Sequence, residues 1–441
     1  MQAREDFIRE VIREHKASEL YRIAEEAEEY DRGRNTTIMN FRKTLVTMYG
    51  TKTENLWSAN YKITSNFLNR FVTQQNQYLL GNGLNLEDKE KKKKLGFDFD
   101  MRLVDMGRNA LVDAVTFGFW DNGRLRVFNV LEFAPIYDEE NGALRAGVRF
   151  WQLDHEKPER ITFFEEDGFT EYLVRPEDSK MVEIKPKRAY LQIVQTSEAD
   201  GTEILEGVNY PSFPIIPMWA NEHKQSEFVG MKESIDCFDL IKSGFANNVD
   251  DASEIFWIIK NAGGMGDVEL AQFLERIKTV KAATVDAEEG GSAEPHTIDI
   301  PYEARNALLE RLERDMYNDF QAFNVQSVSA GKATATEINA AYQPFDNKVD
   351  KFEHCVFDFL GRLFDLIGFD EEPKPFNRSK ITNQLEQTQM VLMAAQYLDD
   401  ETVLSKLPWL SPEEVESIME KKVAENVDRF SEPVVEEEVV E

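Results

Sequence analysis

The chain has 441 residues and a formal net charge of −31, with 82 acidic against 51 basic side chains. A surface this acidic repels nucleic acid and anionic membranes, which excludes DNA binding by phosphate neutralisation. Two cysteines far apart, Cys237 and Cys355, offer no disulfide framework and point to a reducing compartment. No apolar run approaches membrane-spanning length, and Met1–Glu10 is charged rather than signal-like, so a soluble protein made in a cytoplasm is expected.

The chain opens with helices: Phe7, Ile8, Val11 and Ile12, then Leu20, Ile23 and Ala24, recur at helical spacing. A longer amphipathic stretch, Trp57, Tyr61, Thr64, Leu68, Phe71 and Tyr78, stops at Gly81-Asn82-Gly83. The basic run Lys89–Lys94 follows, and a solvated helix face or turn suits it better than a DNA contact.

From about Ala114 to Tyr210 short β-rich pieces predict an antiparallel meander. They are Leu125–Val130, Phe133–Tyr137, Arg149–Leu153, Ile161–Phe164, Tyr172–Val174 and Tyr190–Val194. Asp121-Asn122-Gly123, Asn141-Gly142, Asp167-Gly168 and Asp200-Gly201 supply the turns. Pro211, Pro214 and Pro217 mark its end.

Long helices return. Met231, Ile235, Phe238, Ile241, Phe245, Val249, Ala252 and Phe256 form one apolar stripe. The segment Asn261–Pro301 breaks it with a small α/β insertion, including a short helix near Val268–Ile277. A second helix, Tyr302–Phe323, carries Leu308, Leu312, Met316, Phe320 and Phe323 on one face. A small-residue loop leads to a helix from about Ala335 that meets Pro344, which must kink or interrupt it. Phe345, Val349, Phe352, Val356, Phe359, Leu363 and Leu366 then form a heptad-like seam, expected to pack on a neighbour in the same assembly. Helices near Asn383–Tyr397 and Pro412–Val427 precede an acidic tail, Glu432–Glu441, that composition predicts to be disordered.

The sequence carries little sign of catalytic or ligand-binding chemistry. Ala330-Gly331-Lys332-Ala333 lacks the upstream glycine and the hydroxyl of a phosphate loop, and Gly263-Gly264-Met265-Gly266 has no strand feeding it. The five histidines show no metal-ligand spacing. Asp250-Asp251 and Asp98-Phe99-Asp100 could hold a cation, but solvation or helix capping explains them as well. The expectation is a protein without enzymatic activity, cofactor or metal. The alternatives are an adaptor or scaffold-like protein that forms no ring, or a carboxylate-based metal enzyme.

The order of parts resembles the portal proteins of tailed bacteriophages, in the siphophage family of Gram-positive hosts. Asn66–Val72 with Tyr78-Leu79-Leu80-Gly81-Asn82, Glu132–Asp138, Phe228–Met231 with Asp236–Asp239 and Asn247–Asp251, and Asn377–Glu386 carry the likeness. The chain after Val427 has no counterpart. The resemblance implies an α+β portal fold. It divides into an α/β wing (1–227), a stem helix (228–258), a small α/β clip (259–301) and a second stem helix (302–325). A tunnel loop (326–335), a kinked long helix (336–376), a helical crown (377–427) and the tail (428–441) follow.

It also implies a homo-oligomeric ring of about a dozen copies at one capsid vertex of the virion. Double-stranded DNA would pass through the ring during packaging and ejection. The terminase, and later the head–tail adaptor, would dock on the clip, while capsid and scaffolding proteins meet the wing. The DNA-channel residues would be Gln326, Ser327, Val328, Ser329, Ala330, Gly331, Lys332, Ala333 and Thr334, with the helix kink at Pro344. Lys332 is either a weak phosphate contact or an ordinary exposed lysine.

Overall fold

The computed structural model describes residues 2–46, 52–54, 60–154, 156–175, 180–196, 203–252, 256–260, 292–296, 302–325 and 335–378. It also describes 388, 391–407, 410, 414–415 and 417–422. It is a mixed α+β structure that divides into two compact units. One comprises 1–322 and 351–377, the other 323–350 and 378–441.

The first unit opens with α1 (Gln2–Ala17), α2 (Glu19–Asp31) and α3 (Thr36–Asn40), then the hairpin β1 (Thr44–Val46) and β2 (Lys52–Glu54). Ser18 starts α2 because its hydroxyl accepts the Tyr21 N–H, meeting one of the orphan donors of the first turn. Next come α4 (Phe67–Leu80), α5 (Lys89–Lys93) and α6 (Phe99–Asp113). Gly81 caps α4, as its sequence predicts.

The β region is richer than one meander. Strands β5 (Phe133–Tyr137), β6 (Leu144–Trp151), β7 (Glu159–Glu165), β8 (Gly168–Val174) and β9 (Met181–Arg188) do pair consecutively and antiparallel. A separate sheet has the order β12-β3-β4, from Ile215–Trp219, Val115–Trp120 and Leu125–Phe128. Leu191–Thr196 (β10) and Glu203–Val208 (β11) form a hairpin of their own. Asn122 and Gly123 both take positive φ, 45° and 86°, the conformation a two-residue turn between β3 and β4 requires. Pro217 therefore lies inside a strand and not in a boundary loop. It is tolerated because β12 is a sheet edge, where its missing N–H costs no ladder bond.

Two cores result. Phe117, Phe119, Phe128, Phe133 and Phe164 form an aromatic cluster between the two sheets. Ile8 and Ile12 of α1 pack on the other face of the five-stranded sheet, against Val148, Phe150 and Ile161. The six residues of β3 are all buried, so this strand shows no alternation to betray it.

The long helices follow as α7 (Lys232–Ala252), α8 (Tyr302–Phe320) and α9 (Ala335–Ile367). The apolar stripe of α7 had pointed to a helix reaching Ile258. Instead α7 ends at Ala252, and Phe256–Lys260 is a strand (β13) paired with Ser292–His296 (β14). The three-and-four spacing continued into the strand by coincidence, because β-branched and aromatic residues fill Phe256–Ile259. The rest of the expected insertion, its short helix included, lies outside the described residues. So does the acidic tail.

Helix α9 runs unbroken through Pro344, so the proline does not interrupt it. Its seam is not an intersubunit contact. Phe345, Val349, Phe352, Val356, Phe359 and Leu363 are each no more than 1% exposed within the single chain. At Phe359 the seam lies against Gly118, which has no side chain in the way. A Cβ on Gly118 would sit 2.7 Å from the Phe359 ring. In the second unit, Phe323 stacks on Tyr342 with centroids 3.8 Å apart, and a short helix, α10 (Asp400–Ser405), is capped by Asp399.

Truncating Phe359 to Ala should open a cavity over β3 and cost about 3–5 kcal/mol. A denaturant melt of the isolated chain measures this, and a loss under 1 kcal/mol would contradict the packing described.

Candidate assembly interface

Helices α7 and α8 form an antiparallel pair. At one end Phe238 packs edge-on to Phe67 at 5.1 Å, and Phe320 stacks on Phe71 at 4.8 Å. At the other, Arg305 lies over the Phe245 ring at 6.0 Å. Burial fades along the pair. Met231, Ile235 and Phe238 are buried, Ile241 and Phe245 half-buried, and Val249 is 52% exposed. On α8, Met316 and Phe320 are buried, whereas Leu308 is 44% and Tyr302 57% exposed. The far half of the pair thus presents apolar residues to solvent in a chain otherwise rich in charge.

Beside these apolar residues α7 also carries a polar stripe that is largely buried. Asp236, Asp239, Ser243 and Asn247 succeed one another at intervals of three or four, one above the other. Asp236 accepts hydrogen bonds from Tyr30, from Thr37 at 2.8 Å and from Lys232 at 2.6 Å. Asp239 accepts from Asn35, whose amide also reaches the Ser65 carbonyl at 3.0 Å. Burial pushes the Asp239 carboxyl up, and the hydrogen bonds from Asn35 and Ser65 oppose that shift.

Ser243 takes the N–H of Ile63 at 3.0 Å and donates back to its carbonyl at 3.4 Å. Asn247 does the same for Tyr61, at 2.6 and 3.3 Å. Alternate residues of an extended segment are clasped by successive turns of the helix. Four helical residues rise about 6.0 Å and two strand residues about 6.6 Å, so the two repeats stay in step. This explains why residues 60–66 are not helical despite their apolar spacing. Their backbone finds partners on α7.

A second buried carboxyl, Asp113 at the end of α6, is 1% exposed, and its Oδ1 has no hydrogen-bond partner. Burial, then the neighbouring Glu28 and Asp31, hold its acid form well above the usual carboxylate range. Asp31 itself is gripped by both oxygens, 2.6 Å each from Arg108.

The residues singled out for chemistry are not assembled into a site. Lys91 pairs with Glu371 at 2.7 Å, Lys92 with Asp100 at 2.7 Å and Lys93 with Glu90 at 2.6 Å, so three of the five lysines of the basic run have acidic partners within the chain. Asp100 also accepts the Leu84 N–H at 3.0 Å, and Asp98 stands at the α6 N-terminus. Asp250 and Asp251 fall in the last turn of α7. Among the described residues no group of three or more His, Cys, Asp or Glu side chains could hold a metal ion, and no helix is long and apolar enough to cross a membrane. The expected channel residues Gln326–Thr334, Lys332 among them, lie outside the described residues. The polar ladder of α7 was missed because each member reads alone as an ordinary helix polar residue. Only their common spacing signals it.

Two outcomes follow. Ser243→Ala should cost about 1–3 kcal/mol, since it leaves both backbone groups of Ile63 unpaired, and should speed amide exchange at Ile63. Asp113→Asn should raise the melting temperature at neutral pH. A raised folded-state pKa gives stability that is whole below the ordinary carboxylate value, about 4, and drains away as pH climbs above it. The amide carries no such loss, so its advantage should grow with pH. An advantage that shrinks between acid and neutral pH would contradict the buried neutral acid.

A family model described as phage portal protein, SPP1 Gp6-like, matches residues 9–428. A portal protein of Clostridium phage phiCD119 (strain Clostridium difficile/United States/Govind/2006) is 26% identical over 242 residues, covering 51% of this chain and 53% of that protein. The match therefore spans about half the length of that curated relative. A solved structure, the neck of an empty GTA particle computed with C6 symmetry, covers 78% of this chain and 90% of its own at 13% identity and a TM-score of 0.43, a likeness too low to bear on the fold. On the near-complete match to the family model, the chain belongs to the SPP1 Gp6-like phage portal proteins.

Proposed function

We propose that this portal protein is the ring-forming subunit of one capsid vertex, with double-stranded DNA passing through the ring in packaging and ejection. Membership of a structural family supports a non-enzymatic role. The observation that carries the ring is the uncovered far half of the α7–α8 pair, with Val249, Tyr302 and Leu308 facing outward. An isolated two-helix arm gains little from propensity alone and is stabilised by burial. Neighbouring arms around a ring would supply it through one repeated heterologous contact.

In this reading residues 1–227 with the long helix make the wing. The α7–α8 pair is the stem, and 259–301 the clip on which terminase and then the head–tail adaptor dock. Capsid and scaffolding proteins meet the wing. Gln326–Thr334 line the channel, Pro344 bends the long helix, and 377–427 form the crown. A ring of about a dozen copies is the working number.

Negative-stain imaging with mass photometry should find closed rings with a central hole. A Val249→Asp, Leu308→Asp double variant should shift the population at least about tenfold toward monomer, because each charge is buried only in the assembly. Its far-ultraviolet circular dichroism should not change. Chains that never close, even with capsid and scaffolding proteins present, would count against the ring.

A further inference from the structure

The three-stranded sheet ends on an open edge. Among the described residues strand β12 pairs with β3 on one side only, and the register fixes which way its backbone points. The Ala220 N–H bonds the Ala114 carbonyl at 3.0 Å, so the even-numbered residues Ile216 and Met218 face β3. Ile215, Pro217 and Trp219 therefore turn their backbone outward. That leaves the N–H of Ile215 and Trp219, and the carbonyls of all three, without a partner strand. Pro217 fits this assignment, since it has no N–H to contribute to an inner ladder.

Beside the edge runs a groove of about 720 Å³. Asp358, Arg362, Asp365 and Leu366 line it from α9, and Tyr137 and Leu144 from the β5–β6 hairpin. A groove between an edge strand and a helix is the architecture that takes an extended segment as an added strand, main chain to main chain. Its charges balance. Arg362 lies 3.0 Å from Asp358, and Lys224 stacks over Trp219 at 4.8 Å, leaving Asp365 as its counter-charge in the lining. Copies of a chain with net charge −31 repel one another over most of their surface. A balanced, partly apolar slot with backbone groups on offer is where they can meet without that repulsion.

We infer that this edge is completed by an extended segment of a second copy of this chain, added as a fourth strand beside Ile215–Trp219. The inference rests on the ring reading above. It makes the wing, and not only the stem, part of the heterologous contact.

Hydrogen exchange at single-residue resolution, on the closed assembly and on the isolated subunit, tests it. The amides of Ile215 and Trp219 should exchange at least about tenfold more slowly in the assembly. Those of Ile216 and Met218, already bonded to β3, should be slow in both. Ala143, exposed and in the groove lining, offers a way to fill the slot. Ala143→Trp should raise the concentration needed for closure about tenfold, the equivalent of 1.4 kcal/mol, with the melting of the isolated chain unchanged. Rings that form while Ile215 and Trp219 exchange as fast as in the free subunit would overturn the inference and leave the ring reading intact. So would rings of Ala143→Trp at the wild-type concentration. A chain that closes no ring under any condition removes both.

Discussion

The second half of α9 lies on strand β3, and the first unit is arranged around that contact. Gly118 has no side chain, and the Phe359 ring and the Met106 methyl occupy the space one would need. Because Phe359 and Met106 close this face at Gly118 and the aromatic cluster around Phe117 and Phe133 closes the other, β3 is buried on both sides. A strand so placed cannot slip in register without forcing Phe117 and Phe119 out of the aromatic cluster and bringing side chains into the space above Gly118. The two sheets, α6 and the late helix are thereby held by residues far apart in the chain, which is why the unit gathers 351–377 together with 1–322.

Helix α7 departs from the usual amphipathic helix by burying polar residues beside apolar ones such as Ile235 and Phe238. Its polar stripe, Asp239, Ser243 and Asn247, is buried, and part of its apolar stripe is not. Ser243 and Asn247 each pair both backbone groups of one residue, Ile63 and Tyr61, and such paired buried groups specify geometry tightly. Asp239 is held by Asn35 through one oxygen, while its Oδ1 has no hydrogen-bond partner. The clasps at Tyr61 and Ile63 set the rotation of α7 about its own axis. That rotation turns Val249 outward. An apolar face so exposed and so firmly oriented fits the docking of a neighbour better than loose surface hydrophobicity does.

Much of this was legible in the sequence and some was not, for reasons that can be named. Turn chemistry at Asn122-Gly123 and Asn141-Gly142 located hairpins, and β5 was delimited to the residue, because glycine and asparagine act locally. The seam from Phe345 to Leu366 was correctly seen as buried and wrongly given to a neighbour. Periodicity says that a face is covered but not by what, and the covering strand lies more than two hundred residues away. Strand β3, apolar on both faces, has no period to detect, and α6 was passed over between the lysine run and the sheet. Residues 60–66 have helical spacing but are held extended by Asn247 and Ser243, a tertiary override no local window contains. Of the candidate site, the α7–α8 pair was visible from its stripes, whereas the edge of β12 appears only once the strand order is known.

Charge completes the argument. Many of the described cations are committed to partners within the chain: Arg108 to Asp31, Lys232 to Asp236, Arg378 to Asp350, and Lys91, Lys92 and Lys93 to Glu371, Asp100 and Glu90. With these neutralised, what the chain can offer a polyanion is dominated by unpaired carboxylates. A protein that grips DNA keeps its cations free, since affinity grows with each phosphate neutralised. A channel that must let DNA run in both directions is served by the opposite distribution, because every such contact would have to be broken at each step. In the proposed ring, the acidity that excludes a binding protein at the level of composition would keep the wall from holding a moving duplex.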